Sequence, residues 1–327
     1  MIGRLTKSRE MLLAGAIVAL VLLVSVRFSA FAAPSSLLNV FNDTSILTIL
    51  ALGQMTVILT KCIDLSMASN LALSGMVVAT INTQMPEIPV PLLVMLAVMI
   101  GAALGAVNGI LVWKMNIPPI VVTLGTLTIF RGIIFLISGG EWINAHEMSE
   151  AFKALPRNLL LGLPVLSWLA FGVIATFGLI INRTALGRAF FAVGGNPHAA
   201  VYTGIDVGYT RFLAFLIAGA VSGLSGYLWV ARYAVAYVDI AGGFELDVVA
   251  ACVIGGVSIA GGIGSVAGTV LGALFLGVIK NALPVINISP FWQLAISGLA
   301  IIVAVAFNAR AEMRKGRVIL KKAEHAA

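Results

Sequence analysis

An all-α fold is the class this sequence predicts: a polytopic inner-membrane helical bundle of about ten transmembrane helices, with both termini cytoplasmic. Three observations carry the prediction. Of the 327 residues, 60% are hydrophobic and only 10% charged, uncharged runs long enough to cross hydrocarbon recur along the chain, and basic residues collect on alternate sides of those runs. Soluble domains are about 45–50% apolar and about 25% charged, so composition alone puts the chain in a bilayer. A transmembrane helix needs roughly 17–25 predominantly apolar residues, and ten segments approach that length.

The chain opens on a cytoplasmic N-terminus, residues 1–10, and the membrane domain occupies 11–308. The first span, Met11 to Arg27, follows Arg4, Lys7 and Arg9. That charged start, with the small residues of FSAFAAPSS behind the span, matches a signal peptide in part. Nine further spans make an uncleaved first helix the expected reading. The second and third, Thr44 to Thr60 and Leu65 to Thr83, are separated by Lys61-Cys62-Ile63-Asp64-Leu65-Ser66. Asp64 or Ser66 can cap the following helix. Alternatively, Lys61 and Asp64 can offset each other as a functional pair inside the membrane.

The fourth span, Val90 to Trp113, spaces Gly101, Gly105 and Gly109 four residues apart, which lets a neighbouring backbone approach closely. The fifth, Pro118 to Ser138, holds Arg131 at mid-span, where a guanidinium needs a partner or water inside the bundle. After the sixth, Leu160 to Asn182, the loop 183–211 interrupts the apolar pattern with RTALGRAFFAVGGNPHAAVYTGIDVGYTR. Asn196 and Pro197 fit the N-cap and first position of a helix, and Gly204 fits its C-terminal cap. A helix of about two turns is expected between them.

The seventh span, Phe212 to Ala231, repeats the small-residue spacing at Gly219 and Gly223. The eighth and ninth, Asp247 to Ala260 and Gly264 to Leu283, form an uncharged run from Val248 to Ile279 that is too long for one helix. A break is expected at Gly261-Gly262, as a tight turn or as freed backbone lining a path. Gly264, Gly268 and Gly272 continue the four-residue spacing. The tenth span, Phe291 to Asn308, leads to a basic cytoplasmic tail, 309–327. The first, second and eighth are short and are expected to tilt or to be partly re-entrant.

With the N-terminus inside, 14 of the 20 Lys and Arg residues face the cytoplasm. Four, Arg27, Lys153, Arg157 and Arg232, face out, and Arg131 and Lys280 lie within spans. That asymmetry fixes the orientation. The net charge of +7 therefore reflects topology and contact with anionic lipid, and no aromatic-interleaved basic patch suggests nucleic acid.

Catalytic chemistry is missing. The chain has no G-x-x-x-x-G-K-[ST] loop for ATP, and His146, His198 and His325 do not pair at metal-ligand spacing. Cys62 and Cys252 are too few for a disulfide framework. Gly262-Ile263-Gly264 with Gly268 shares the spacing of a dinucleotide fingerprint but lacks its βαβ frame. An ion-coupled secondary transporter would need acids or histidines along its spans, and only Asp64 qualifies, near an end. The candidate lining of a translocation path is Asp64, Asn70, Asn108, Thr126, Arg131, Gly261 and Gly262.

Five motifs in order, GQMTVILTKCIDLSMASNLALSG, VNGILVWKMNIPPIVVTLGTLTIFRGI, ISGGEWI, GRAFFAVGGNPHAAVYTGI and AACVIGGVSIAGGIGSVAGTVLGA, carry a resemblance. The chain is similar from about residue 44 to 308 to the permease subunits of bacterial ABC sugar importers of the ribose, xylose and arabinose type. It looks most like the rhamnose importer permeases, with autoinducer-2 permeases as close relatives. Lys61-Cys62 stands where typical sugar permeases carry a Gly-Gly pair, and Ala68 stands where they carry Gly. The first departure puts ribose in doubt.

The resemblance implies a non-catalytic path subunit in the inner membrane, with a second permease subunit, identical or paralogous. It also implies a periplasmic sugar-binding protein and cytoplasmic ATP-binding subunits that hold ATP and Mg, so this chain needs no cofactor of its own. By motif, Gly187, Arg188, Gly194, Gly195, Asn196, Pro197, Ala199, Ala200, Gly204 and Ile205 match the element that seats in the ATPase. L-rhamnose is the expected cargo, with another small sugar or autoinducer-2 as the alternative.

Overall fold

The computed structural model describes residues 2–285 and, beyond them, Trp292, Ala295, Gly298, Leu299 and Ile302. Apart from those five positions, the tenth span, Phe291 to Asn308, lies outside the described residues, as does the tail 309–327. In chain order the helices are α1 (Ile2–Arg27), α2 (Pro34–Leu59), α3 (Met67–Gln84), α4 (Val90–Lys114), α5 (Pro119–Ser138) and α6 (Glu150–Arg157). They continue with α7 (Val165–Arg183), α8 (Ala185–Gly195), α9 (Pro197–Tyr202), α10 (Val207–Tyr233), α11 (Phe244–Ile254) and α12 (Val266–Val285). The described strands are Leu159–Leu160 and Leu163–Pro164, one antiparallel pair.

Seven described helices are long and apolar enough to cross a membrane: Arg9–Arg27 of α1, then α2, α4, α5, α7, α10 and α12. The chain is a multi-pass helical membrane protein. The second span is not short, because α2 begins at Pro34, ten residues before the expected Thr44. Proline suits the first helical turn, where its missing N–H costs nothing. Polar Asn42 and Asp43 had masked this extension.

The other two expected spans differ for opposite reasons. Helix α3 is 18 residues long but carries buried Ser69, Asn70, Ser74 and Asn82, because it packs among α4, α5 and α10. Helix α11 has only 11 residues, about 16 Å at 1.5 Å per residue, so it is a half-helix, as its expected shortness implied. The chain then breaks across residues 255–265 before α12, a longer interruption than the two-glycine turn expected. Gly264 consequently lies ahead of α12 instead of on its face.

Helix α10 is the central column, packed against α4, α3 and α2. The spaced glycines explain its closest contact. A Cβ on Gly101 of α4 would lie 2.3 Å from the Gly219 carbonyl oxygen of α10, and one on Gly223 would lie 2.0 Å from the Ala97 carbonyl oxygen. No side chain fits there, so the two backbones meet as the spacing predicted. The short α6 seals the far end: Phe152 is buried and packs edge-on against Tyr227, whose hydroxyl donates to the Phe152 carbonyl at 2.9 Å.

The C-terminal ends of α2, α4 and α7 and the N-terminal end of α10 bring Lys61, Lys114, Arg183 and Arg211 to one end of the bundle, next to α8 and α9. Arg27, Lys153, Arg157 and Arg232 mark the opposite end. On the positive-inside rule the first end is cytoplasmic.

Candidate functional site

The cytoplasmic end holds a compact two-helix element. Helix α8, absent from the sequence expectation, starts at Thr184, whose hydroxyl accepts from the Gly187 N–H at 3.2 Å. It buries Gly187, Phe190, Val193 and Gly194, a stripe at helical spacing that turns one face inward. Asn196 then caps α9 as the sequence indicated, its side-chain oxygen accepting from the Ala199 N–H at 3.1 Å with Pro197 in the first turn. Gly204 closes the unit at φ +81°, a left-handed conformation suited to glycine. Asp206 caps α10, accepting from the Tyr209 N–H at 2.8 Å.

Burial divides the ten residues matched by motif. Arg188, Gly195, Asn196, Ala199 and Gly204 are exposed, Pro197 and Ile205 partly so, and Gly187, Gly194 and Ala200 are buried. The buried three cannot touch a partner; they hold the element together. Two neighbours had not been singled out: Val201 is 61% and Tyr202 91% exposed. Both lie on the exposed side of α9, next to the exposed Ala199 and Gly204.

Gly194 joins this element to the membrane helices. Its α-carbon packs where Leu59, the last residue of α2, accepts a hydrogen bond through its carbonyl from the Gly262 N–H at 3.0 Å. A Cβ there would stand 1.7 Å from the Leu59 oxygen and 2.3 Å from the Gly262 nitrogen. Gly261 and Gly262 therefore lie at the cytoplasmic end, against α8, and not at membrane depth as the uncharged run had suggested. Both have left-handed φ, +82° and +70°, which lets the 255–265 segment fold back onto α8.

The path candidates do not form one site. Asp64, Asn108 and Asn70 gather around the start of α3. The Asp64 carboxylate accepts from the Ser66 N–H at 2.8 Å and from the Ser66 hydroxyl at 2.6 Å. Asn108 of α4 donates to the Ser66 hydroxyl at 2.8 Å, and Asn70 donates to the Gly101 carbonyl at 3.0 Å. Burial pushes the Asp64 carboxyl above the ordinary carboxylate range, opposed by its bonds to Ser66. Asp64 thus closes a turn just ahead of α3, but the expected helix cap does not form: the N-cap residue is Ser66, and no side chain there accepts a capping bond. The Lys61–Asp64 pair does not form, because Lys61 is exposed with φ +64° while Asp64 is 3% exposed. Thr126 is buried and donates to the Val122 carbonyl of its own helix.

Arg131 stands apart, toward the opposite end. It donates to the carbonyls of Val238 and Ile240, both at 2.7 Å. Its partners are main-chain oxygens more than a hundred residues away, so no side-chain pattern announced them. The guanidinium thereby pins the loop between α10 and α11. Among the described residues, no group of three or more His, Cys, Asp and Glu could hold a metal ion.

Comparison with known proteins adds to this geometry. Residues 36–305 match the family model described as branched-chain amino acid transport system / permease component. The chain is 35% identical over 292 residues to the ribose import permease protein of Haemophilus influenzae, covering 89% of this chain and 90% of that protein. It is 35% identical over 306 residues to the autoinducer 2 import system permease protein of Klebsiella pneumoniae subsp. pneumoniae, covering 94% and 88%. The ribose import permease protein of Escherichia coli strain K12 is 34% identical over 292 residues, covering 89% and 90%. No solved structure matches the chain.

Proposed function

Because the chain belongs to the family of branched-chain amino acid transport system / permease components and is a permease subunit of an ABC importer, we propose that it forms the translocation path for a neutral monosaccharide and that α8 and α9 receive mechanical work from a cytoplasmic ATPase. L-rhamnose is the specific cargo proposed, on the resemblance to the rhamnose importer permeases, with Lys61-Cys62 departing from the ribose-type pattern. Relatives named for ribose import and for autoinducer 2 import support a small cargo of this kind. ATP and Mg belong to the ATPase, a periplasmic binding protein delivers the sugar, and a second permease subunit completes the path.

The observation that carries the reading is the Gly194 junction. An exposed helix pair with a protruding Tyr202 is packed, without an intervening side chain, on the end of α2 and on the segment leading into α12. Close-packed groups transmit displacement because they cannot compress. When the ATPase pair closes, α8 and α9 move, and α2 and the 255–265 segment move with them. The inward- and outward-facing states then differ in free energy through contacts made at this junction, as coupling requires. Asp64, Asn70, Asn108 and Thr126 are buried and bonded within the bundle, so no unpaired charge among them calls for a charged cargo.

Uptake of labelled L-rhamnose, D-ribose and L-leucine in a strain lacking the gene, with and without the gene restored, tests the cargo. Restoration of L-rhamnose uptake alone is expected. Restoration of only L-leucine uptake would contradict the sugar reading.

A further inference from the structure

At the end of the bundle opposite α8 and α9 lies a cavity of about 590 Å³, inside the roughly 300–1,000 Å³ range of small-molecule sites. Trp229 from the last turns of α10, Tyr237 and Asp239 from the following loop, Phe244 and Asp247 from α11, and Lys280 from α12 line it. Four separate segments of the chain thus converge on one space with three aromatic rings and three charged groups.

The walls are fixed. Trp229 and Phe244 meet edge to face with ring centroids 4.9 Å apart, and Trp142 stacks on Tyr237 at 4.5 Å. The loop carrying Tyr237 and Asp239 is tied on both sides of each residue: Ala236 bridges to Ile143, and Arg131 holds the carbonyls of Val238 and Ile240. Asp247 and Lys280 form an ion pair between α11 and α12, which leaves them nearly neutral as a unit. Among the described residues, no hydrogen bond engages the Asp239 carboxylate, and the Arg131 guanidinium acts on it only through its charge.

This set of groups selects for a class of ligand. Aromatic faces carry the negative lobe of the ring quadrupole and attract the weakly positive C–H face of a sugar ring. A carboxylate offers about four lone-pair sites to hydroxyl donors, and an ammonium with one bond committed has further N–H groups for hydroxyl oxygens. A zwitterionic amino acid would instead compete with the Asp247–Lys280 pair for both of its charges. We infer that this cavity is the outer receiving site of the translocation path, where a neutral polyhydroxylated ring rests against Trp229 with its hydroxyls on Asp239, while the Lys280 ammonium, 5.5 Å from the Phe244 ring centroid, covers Phe244. The inference rests on the sugar-permease reading above. It gives Arg131 a positioning role: it holds the loop and does not touch the sugar.

The test uses the complete importer, reconstituted with its ATPase and binding protein, with L-rhamnose and D-ribose as labelled probes. Variants Trp229→Ala, Trp229→Phe and Asp239→Asn are compared at saturating binding protein, with copurified ATPase as the check on assembly. At least a tenfold fall in maximal uptake is expected for Trp229→Ala and Asp239→Asn, with substantial recovery in Trp229→Phe and an unchanged half-saturating concentration of binding protein. Asp239 is exposed and Asn is isosteric, so that variant stays informative if Trp229→Ala fails to assemble. Maximal uptake within twofold of the unmodified importer in Asp239→Asn, or in Trp229→Ala that copurifies its ATPase normally, would overturn the cavity assignment alone. Absence of uptake of both sugars by the unmodified importer would overturn the sugar-permease reading on which it stands.

Discussion

Replacing Gly194 with alanine is the most informative single perturbation of the cytoplasmic junction. The new methyl would lie 1.7 Å from the Leu59 carbonyl oxygen and 2.3 Å from the Gly262 nitrogen, and Cβ atoms essentially never approach a heavy atom within 3.0 Å. Helix α8 must therefore separate from α2 by at least about 1.3 Å. Inserting a methyl into a packed interior costs about 1–3 kcal/mol. Displacing the Leu59–Gly262 hydrogen bond leaves buried groups unpaired, which costs about 1–3 kcal/mol more. The expected destabilisation is about 2–6 kcal/mol, a large share of the roughly 5–15 kcal/mol that holds a typical domain folded. Thermal unfolding of the detergent-solubilised protein measures it, alongside ATP-driven uptake per molecule. The control sits next door: a Cβ on Gly195 meets nothing within 4 Å, so Gly195→Ala should unfold like the unmodified protein. Equal unfolding temperature and equal uptake for Gly194→Ala would refute the claim that this contact is both tight and coupling.

Arg188→Glu alters an exposed residue of α8, so membrane level and thermal stability should hold while ATPase copurification falls at least tenfold; normal copurification would remove Arg188 from the docking surface. Arg131→Ala should lower uptake strongly by freeing the loop at Val238 and Ile240, and Arg131→Lys should recover part of it, since an ammonium can still donate to a carbonyl; uptake in Arg131→Ala equal to that of the unmodified protein would show the loop needs no anchor. Tyr227→Phe removes the donor to the Phe152 carbonyl and should cost about 1–3 kcal/mol, the usual penalty for an unpaired buried acceptor; unchanged thermal unfolding would mean that the carbonyl finds another donor.

The membrane class and the close-packing glycines were legible because both follow from local spacing. Gly101 and Gly219 fall on helix faces that the four-residue repeat predicts, and the structure presses them together. The Asn196 cap and the Gly204 stop were legible for the same reason. Helix α8 was not, because Gly187, Gly194 and Gly195 weaken its propensity and its stability comes from burying Phe190 and Val193 against neighbours. Nor could spacing reveal that Gly262 reaches Leu59, or that Arg131 answers to main-chain carbonyls, since both are contacts between distant segments. Spacing left Lys61 and Asp64 open between a helix cap and an ion pair, and neither forms: a left-handed turn at Lys61 sends it outward, while buried Asp64 bonds to Ser66 ahead of the helix.

Reconstitution into liposomes separates an ATP-driven path from every alternative most directly. With its ATPase and a sugar-loaded binding protein present, the permease should accumulate labelled L-rhamnose only when ATP is supplied on the ATPase side. Accumulation by the permease alone, driven by a proton or sodium gradient and indifferent to ATP, would contradict the account.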